Sequence, residues 1–165
     1  MKAVAPLEVG LVVRDVDALL PFYTRVLGLA LVTDIVAPAA VGRAAGLAPD
    51  GYRVVRLESN RGDRIKLAQP LRPCDPVPAA AFALQRQGGA YLTFIVDELP
   101  ALHAALRDAG ATVHSEGIVT LRPGVSMLLA TDPEHNWIEF VHYDDLASYR
   151  PPAAVPQPSQ AAGAS

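Results

Sequence analysis

The chain has 165 residues, with 14 Lys and Arg against 17 Asp and Glu and a formal net charge of -3. Mild acidity with scattered Arg excludes an electrostatic nucleic-acid binder. The single cysteine, Cys74, excludes an intramolecular disulfide and a Cys-rich zinc site. A hydrophobic share of 51% supplies a packed core for one domain, or for two small modules sharing one.

Residues 1–6 show no basic region followed by a signal-like apolar run and cleavage site. No apolar run is long enough to span a membrane. The expected location is therefore the cytoplasm.

Residues 7–13 alternate as a strand, with Leu7, Val9, Leu11 and Val13 on one face and Glu8, Gly10 and Val12 on the other. Asp15 suits a helix N-cap. Val16, Leu19, Leu20, Tyr23 and Leu27 form one apolar helical stripe, and Gly28 a C-cap. A strand is expected over 29–36, then a loop or one short helical piece over 37–50. Strands over 52–58 and 64–69 flank a hairpin turn at Asn60-Arg61-Gly62-Asp63. Prolines make 71–89 a linker, with one short helix expected over 79–87. The pattern then begins again. A strand over 90–96 leads to a helix carrying Leu99, Leu102, Leu106 and Ala109, closed by Gly110. Strands follow over 112–118, 125–131 and 137–143. The last comes after a turn built on Asp132, Pro133 and Asn136, whose side chains favour tight turns. Residues 150–165 are Pro/Ala/Ser/Gln-rich without periodicity and are expected to be a disordered tail.

Strand, helix and three strands thus occur twice, over modules 7–70 and 90–143, in one domain of residues 1–149. Internal duplication of this kind sets the fold class: α+β, two βαβββ modules. The chain resembles the vicinal oxygen chelate superfamily, which includes glyoxalase I, methylmalonyl-CoA epimerase, extradiol dioxygenases, fosfomycin resistance enzymes and bleomycin-binding proteins. Residues 7–17, 22–29 and 132–140 carry the likeness, the last as Asp132-Pro-Glu-His-Asn-Trp-Ile-Glu139-Phe. The resemblance implies a glyoxalase-like, cup-shaped, curved mixed sheet whose four inward ligand positions hold a divalent metal. Those positions map here to Glu8, Lys66, Tyr91 and Glu139. Each lies opposite the apolar face of its strand.

Only the two glutamates suit a metal, so Glu8 and Glu139 are its only candidate ligands. Lys66 has no lone pair when protonated, and its charge repels a divalent ion. The expectation is no cofactor and no metal, with Glu8, Lys66 and Glu139 as a mutually satisfying charge cluster beside Tyr91. Functionally, Glu8 and Glu139 serve as acid and base, and Lys66 and Tyr91 stabilise an oxyanion. The competing role is a salt-bridged core in a cavity that has lost its metal. Arg64, Val12, Thr93, Ile95 and Trp137 are the expected substrate-binding residues.

Three functions stay open. The leading one is a metal-independent isomerase or lyase abstracting a proton next to a carbonyl in a small, oxygen-rich molecule. The second is a non-catalytic, ligand-sequestering protein like the bleomycin-binding branch. The third is a metal-dependent glyoxalase or dioxygenase. Expected partners are a small molecule and a second copy in a homodimer, with no nucleic acid and no membrane. Among the histidines, His103 and His135 are expected in solvent, His142 as a satisfied structural residue, and His114 has no evident partner.

Overall fold

The structure is a computed structural model that describes residues 4–76, 80–85 and 87–149. The elements of the first module are β1 (Glu8–Val12), α1 (Val16–Pro21), β2 (Ala30–Ala37), α2 (Ala39–Ala44), β3 (Tyr52–Glu58) and β4 (Arg64–Pro70). The second module comprises β5 (Tyr91–Ile95), α3 (Leu99–Asp108), β6 (Thr112–Val113), β7 (Val119–Arg122), β8 (Val125–Thr131) and β9 (Trp137–Tyr143). The first sheet has the order β1-β4-β3-β2 and the second β5-β9-β8-β6, with β7 also on β8. In each, the first and last strands of the module pair in parallel and the other pairs are antiparallel. Two mixed sheets with few helices bear out the α+β expectation.

The convex faces share one core. Val16, Leu19 and Tyr23 meet Leu57 and Leu67 of the first sheet, Leu106 of α3, and Leu128, Ile138 and Phe140 of the second. This is where the alternation in the sequence placed the apolar residues.

Three elements differ from expectation. The first helix is not uniform. Pro21 lacks an N–H, so the ladder widens after it into a π-helical turn over Phe22–Val26. Gly28, at φ +70°, still ends it, and Leu29 N–H closes on the Tyr23 carbonyl at 3.0 Å. The strand expected over 112–118 lasts only through Val113. The Ser115 hydroxyl takes the Leu129 amide at 3.1 Å, and Gly117 turns the chain at φ +72° before β7 begins. The helix expected over 79–87 shrinks to one 3-10 turn, Ala83–Gln85, where the Gln85 side chain accepts from Ala81 and Phe82 N–H. Residues 77–79, 86 and the expected tail, 150–165, lie outside the described residues. No described helix is long and apolar enough to cross a membrane.

The two modules are joined through the turn before β9. Buried Asp132 accepts from Glu134 N–H and Asn136 N–H at 2.9 Å each, from the Asn136 amide at 2.8 Å, and from the Tyr23 hydroxyl at 2.9 Å. Burial, then the Asp132 charge, pushes the Tyr23 phenol far up. The Glu134 carboxylate accepts from two successive amides of the β1–α1 connection, Arg14 N–H at 2.7 Å and Asp15 N–H at 2.6 Å. His135 tops this turn at φ +68°, a conformation usually left to glycine.

Candidate active site

The open face of the first sheet collects charge. Parallel pairing sets Glu8 opposite Arg64 and Gly10 opposite Lys66, while β3 sets Arg56 beside Lys66 and Glu58 beside Arg64. Gly10 has no side chain in the way, so the Lys66 stem passes over it, 4.0 Å from where a Cβ would sit. Its ammonium comes 3.5 Å from the Glu8 carboxylate. Arg64 and Arg56 approach that same carboxylate at 3.7 and 3.8 Å, and Arg64 also pairs with Glu58. Glu58, then Glu8, raises the Arg64 pKa. Three cations thus face two carboxylates, leaving one positive charge in excess.

The open face of the second sheet carries the other carboxylate. Glu139 stands opposite Thr93 across the β5–β9 pair and accepts from its hydroxyl at 2.8 Å. Trp137 stands opposite Tyr91, which is 46% exposed. The Trp137 ring packs on His114, centroids 4.3 Å apart, and His114 Nε2 shares a hydrogen bond with the Thr131 hydroxyl at 3.2 Å. Burial, then the nearby His135, lowers the His114 pKa, so it is neutral near pH 7. The partners of His114 arise from strand pairing that its sequence neighbours do not announce. His142 is held as expected, its Nδ1 3.0 Å from the Val96 carbonyl oxygen.

The expected charge cluster therefore divides. Glu8 and Lys66 meet. Glu139 forms no ion pair among the described residues, so it faces the Thr93 hydroxyl and not the Lys66 ammonium. Arg56, on the middle strand β3, is the member that pattern reasoning missed. Its signal was the spacing of Val54, Arg56 and Glu58 on one face of β3.

A cleft of about 940 Å³ runs past β1 and β5. Of the expected site residues it is lined by Arg64, Tyr91, Thr93 and Ile95, with Leu7 and Phe94 among its apolar walls. Glu8, Lys66, Trp137, Glu139 and Val12 lie off its lining. Val12 is 67% exposed.

A divalent metal does not suit these residues. One of the two carboxylates is already surrounded by three cations, and a further positive ion there meets repulsion. Among the described residues no three His, Cys, Asp or Glu side chains gather as a metal set.

Comparison with known families matches residues 5–140 to the Glyoxalase/Bleomycin resistance protein/Dioxygenase superfamily. No curated protein matches. Among solved structures, a glyoxalase family protein from Bacillus cereus is 21% identical, with a TM-score of 0.72 over 87% of this chain and 96% of that one. A glyoxylase/bleomycin resistance protein/dioxygenase domain from Frankia sp. is 19% identical, with a TM-score of 0.64 over 87% and 98%. A glyoxalase I mutant from Zea mays is 16% identical, with a TM-score of 0.63 over 86% of this chain and 46% of that one. At these identities the likeness carries the fold.

Proposed function

The chain belongs to the Glyoxalase/Bleomycin resistance protein/Dioxygenase superfamily, and on that premise we propose that it is an isomerase or lyase that takes a proton from the carbon next to a carbonyl. One contrast carries this assignment: Glu8 is enclosed by three cations, whereas Glu139 is held by one hydroxyl. The Glu8 carboxylate is occupied by three ion pairs, whereas the Glu139 carboxylate keeps room to approach a substrate proton. Glu139 is accordingly the base, and Glu8 holds Arg56, Arg64 and Lys66 in place. The excess positive charge supports stabilisation of a developing enolate oxygen by Lys66, with Tyr91 as a hydroxyl donor. Lys66 supplies charge where superfamily relatives are expected to use a metal, and no step here passes through one.

The test is solvent-deuterium wash-in on a panel of small carbonyl acids. Wild type incorporates deuterium at the acidic carbon. Glu139→Gln keeps the fold and loses at least about a hundredfold in exchange rate, the contribution of a positioned base. Exchange at the wild-type rate in that variant removes Glu139 from the mechanism.

A sequestering role is favoured by a separate observation, the cleft of about 940 Å³ with apolar walls beside exposed Tyr91. A volume of that size accommodates a drug-sized molecule. Tight stoichiometric binding of an aromatic ligand without exchange or turnover assigns the chain to that role instead.

A further inference from the structure

Strand register sorts the open face of the first sheet into three rows. In the first, Glu8, Arg64 and Glu58 alternate in sign and pair with one another. In the second, Gly10, Lys66, Arg56 and Thr33 lie side by side. In the third, Val12, Ala68, Val54 and Ile35 are all apolar. The middle row contains no acid. Lys66 and Arg56 are directly opposed in it, where like charges work against pairing. Glu8 reaches across from the first row, at 3.5 Å from Lys66 and 3.8 Å from Arg56. Both contacts are longer than the roughly 2.7–3.2 Å of a well-made hydrogen bond, so both cations keep donors to offer. The Thr33 hydroxyl, 3.3 Å from Arg56 Nη1, holds the guanidinium in the row.

Gly10 is an independent sign that something approaches this row. Its backbone does not require glycine, since its φ is not positive. Packing does not require it either: a Cβ there would meet only Lys66 Cε, at 4.0 Å, an ordinary contact. Glycine inside a strand weakens the strand, and it often marks a place where a ligand comes close to the backbone. The gap it leaves opens beside the two cations.

We propose that this gap and the Lys66–Arg56 pair bind the carboxylate of a small organic acid, whose apolar body lies over the third row. Ammonium and guanidinium supply charge-assisted hydrogen bonds to it. Val54 is a buried floor for the body, and exposed Val12 and Ile35 flank it. Charge selects a monoanion. Arg56, Arg64 and Lys66 exceed Glu8 and Glu58 by one positive charge, which one carboxylate balances and a phosphate dianion exceeds.

The proposal rests on the isomerase or lyase reading only for the molecule turned over: it gives that substrate a fixed carboxylate on Arg56, besides the carbonyl oxygen that Lys66 serves. Binding itself needs no turnover. Pivalate has no hydrogen on the carbon next to its carboxylate, so it reports on this site and not on Glu139 as a base.

Isothermal titration calorimetry of the full chain with pivalate tests the proposal. Wild type binds it saturably. Pivalamide, the neutral counterpart, binds at least about tenfold more weakly, the cost of losing hydrogen bonds between charged partners. Acetate, which lacks three methyl groups, is also weaker by about tenfold or more. Inorganic phosphate, which has charge but no body, binds no more tightly than acetate. Arg56→Gln and Gly10→Val each raise the pivalate Kd at least about tenfold, the first by removing a charged donor and the second by filling the gap. Far-UV circular dichroism verifies that both variants fold, and Gly10→Val melts no lower than wild type because valine suits a strand better than glycine. No saturable binding of pivalate at millimolar concentration, equal affinity for pivalate and pivalamide or for pivalate and acetate, phosphate binding more tightly than acetate, or a Kd unmoved in either folded variant each overturns the proposal. Loss of deuterium exchange with pivalate binding intact refutes the proton-abstraction reading alone.

Discussion

Replacing Tyr23 with Phe removes one hydroxyl from the junction between the modules and almost nothing else. The phenol is fully buried and donates to buried Asp132 at 2.9 Å. A hydrogen bond to a charged partner contributes about 1.5–3 kcal/mol. Asp132 Oδ2 keeps its bond from the Asn136 amide, so the carboxylate is not orphaned. The loss should fall near the lower bound, about 1.5–2 kcal/mol. For a chain of this size that lowers Tm by roughly 3–8 °C. Urea unfolding followed by fluorescence of the single tryptophan, Trp137, and by far-UV circular dichroism measures it. Asp132→Ala strips partners from two backbone amides, one side-chain amide and the phenol, and should cost more, about 3–5 kcal/mol. The double variant should be less destabilised than the sum of the two, because the bonds are shared.

The same residue gives a pH signature of defined sign. Its folded pKa lies above the ordinary 10.0 of a tyrosine. Above that pH the unfolded phenol ionises while the folded one does not, so wild type loses up to about 1.4 kcal/mol per pH unit from this group alone. Tyr23→Phe should lack that component. A cost under about 0.5 kcal/mol, within the range of ordinary surface substitutions, together with an unchanged alkaline slope, would refute the clamp.

Two further perturbations follow from particular contacts. Gly42→Ala places a Cβ 2.3 Å from the Ala48 carbonyl oxygen, and Gly51→Ala, at φ +90°, places one 2.6 Å from the Ala37 carbonyl oxygen. Both should cost at least about 2 kcal/mol, whereas Gly62→Ala, at φ +86° in open space, should cost only the left-handed penalty of about 1 kcal/mol. Equal effects in chemical denaturation would show that the 37–51 segment relaxes freely. His114 has a folded pKa below its usual 6.5, so its contribution is complete above that pH and is lost as pH falls through the folded value. His114→Asn should flatten the fall in stability between about pH 6.5 and pH 5; an unchanged fall would place the titration elsewhere.

Much of the fold was legible in the sequence because its signals are local. Two-residue alternation in β1, β5 and β9 marked which face meets the core, and Gly28 and Gly110 marked both helix ends. The repeated order of elements supplied the topology. Reading failed where a single residue competes with its neighbours' periodicity. Pro21 widened the helix that the 3.6-residue stripe described. Ser115 captured an amide that the strand ladder needed.

The candidate site divides along the same line. Side-chain alternation placed Glu8, Lys66, Tyr91 and Glu139 on the open faces, since which side of a strand a residue occupies depends only on its position within that strand. Which group each one touches depends on strand register and side-chain reach, and register joins residues more than forty positions apart. Pairing of β5 with β9 put Thr93, and not an ammonium, against Glu139. Pairing of β1, β4 and β3 surrounded Glu8 with Arg56, Arg64 and Lys66. The sequence by itself thus determined the scaffold and the direction of each side chain. The tertiary structure alone decided which of the two carboxylates is ion-paired among the described residues, because the cations around Glu8 are brought to it by strand pairing.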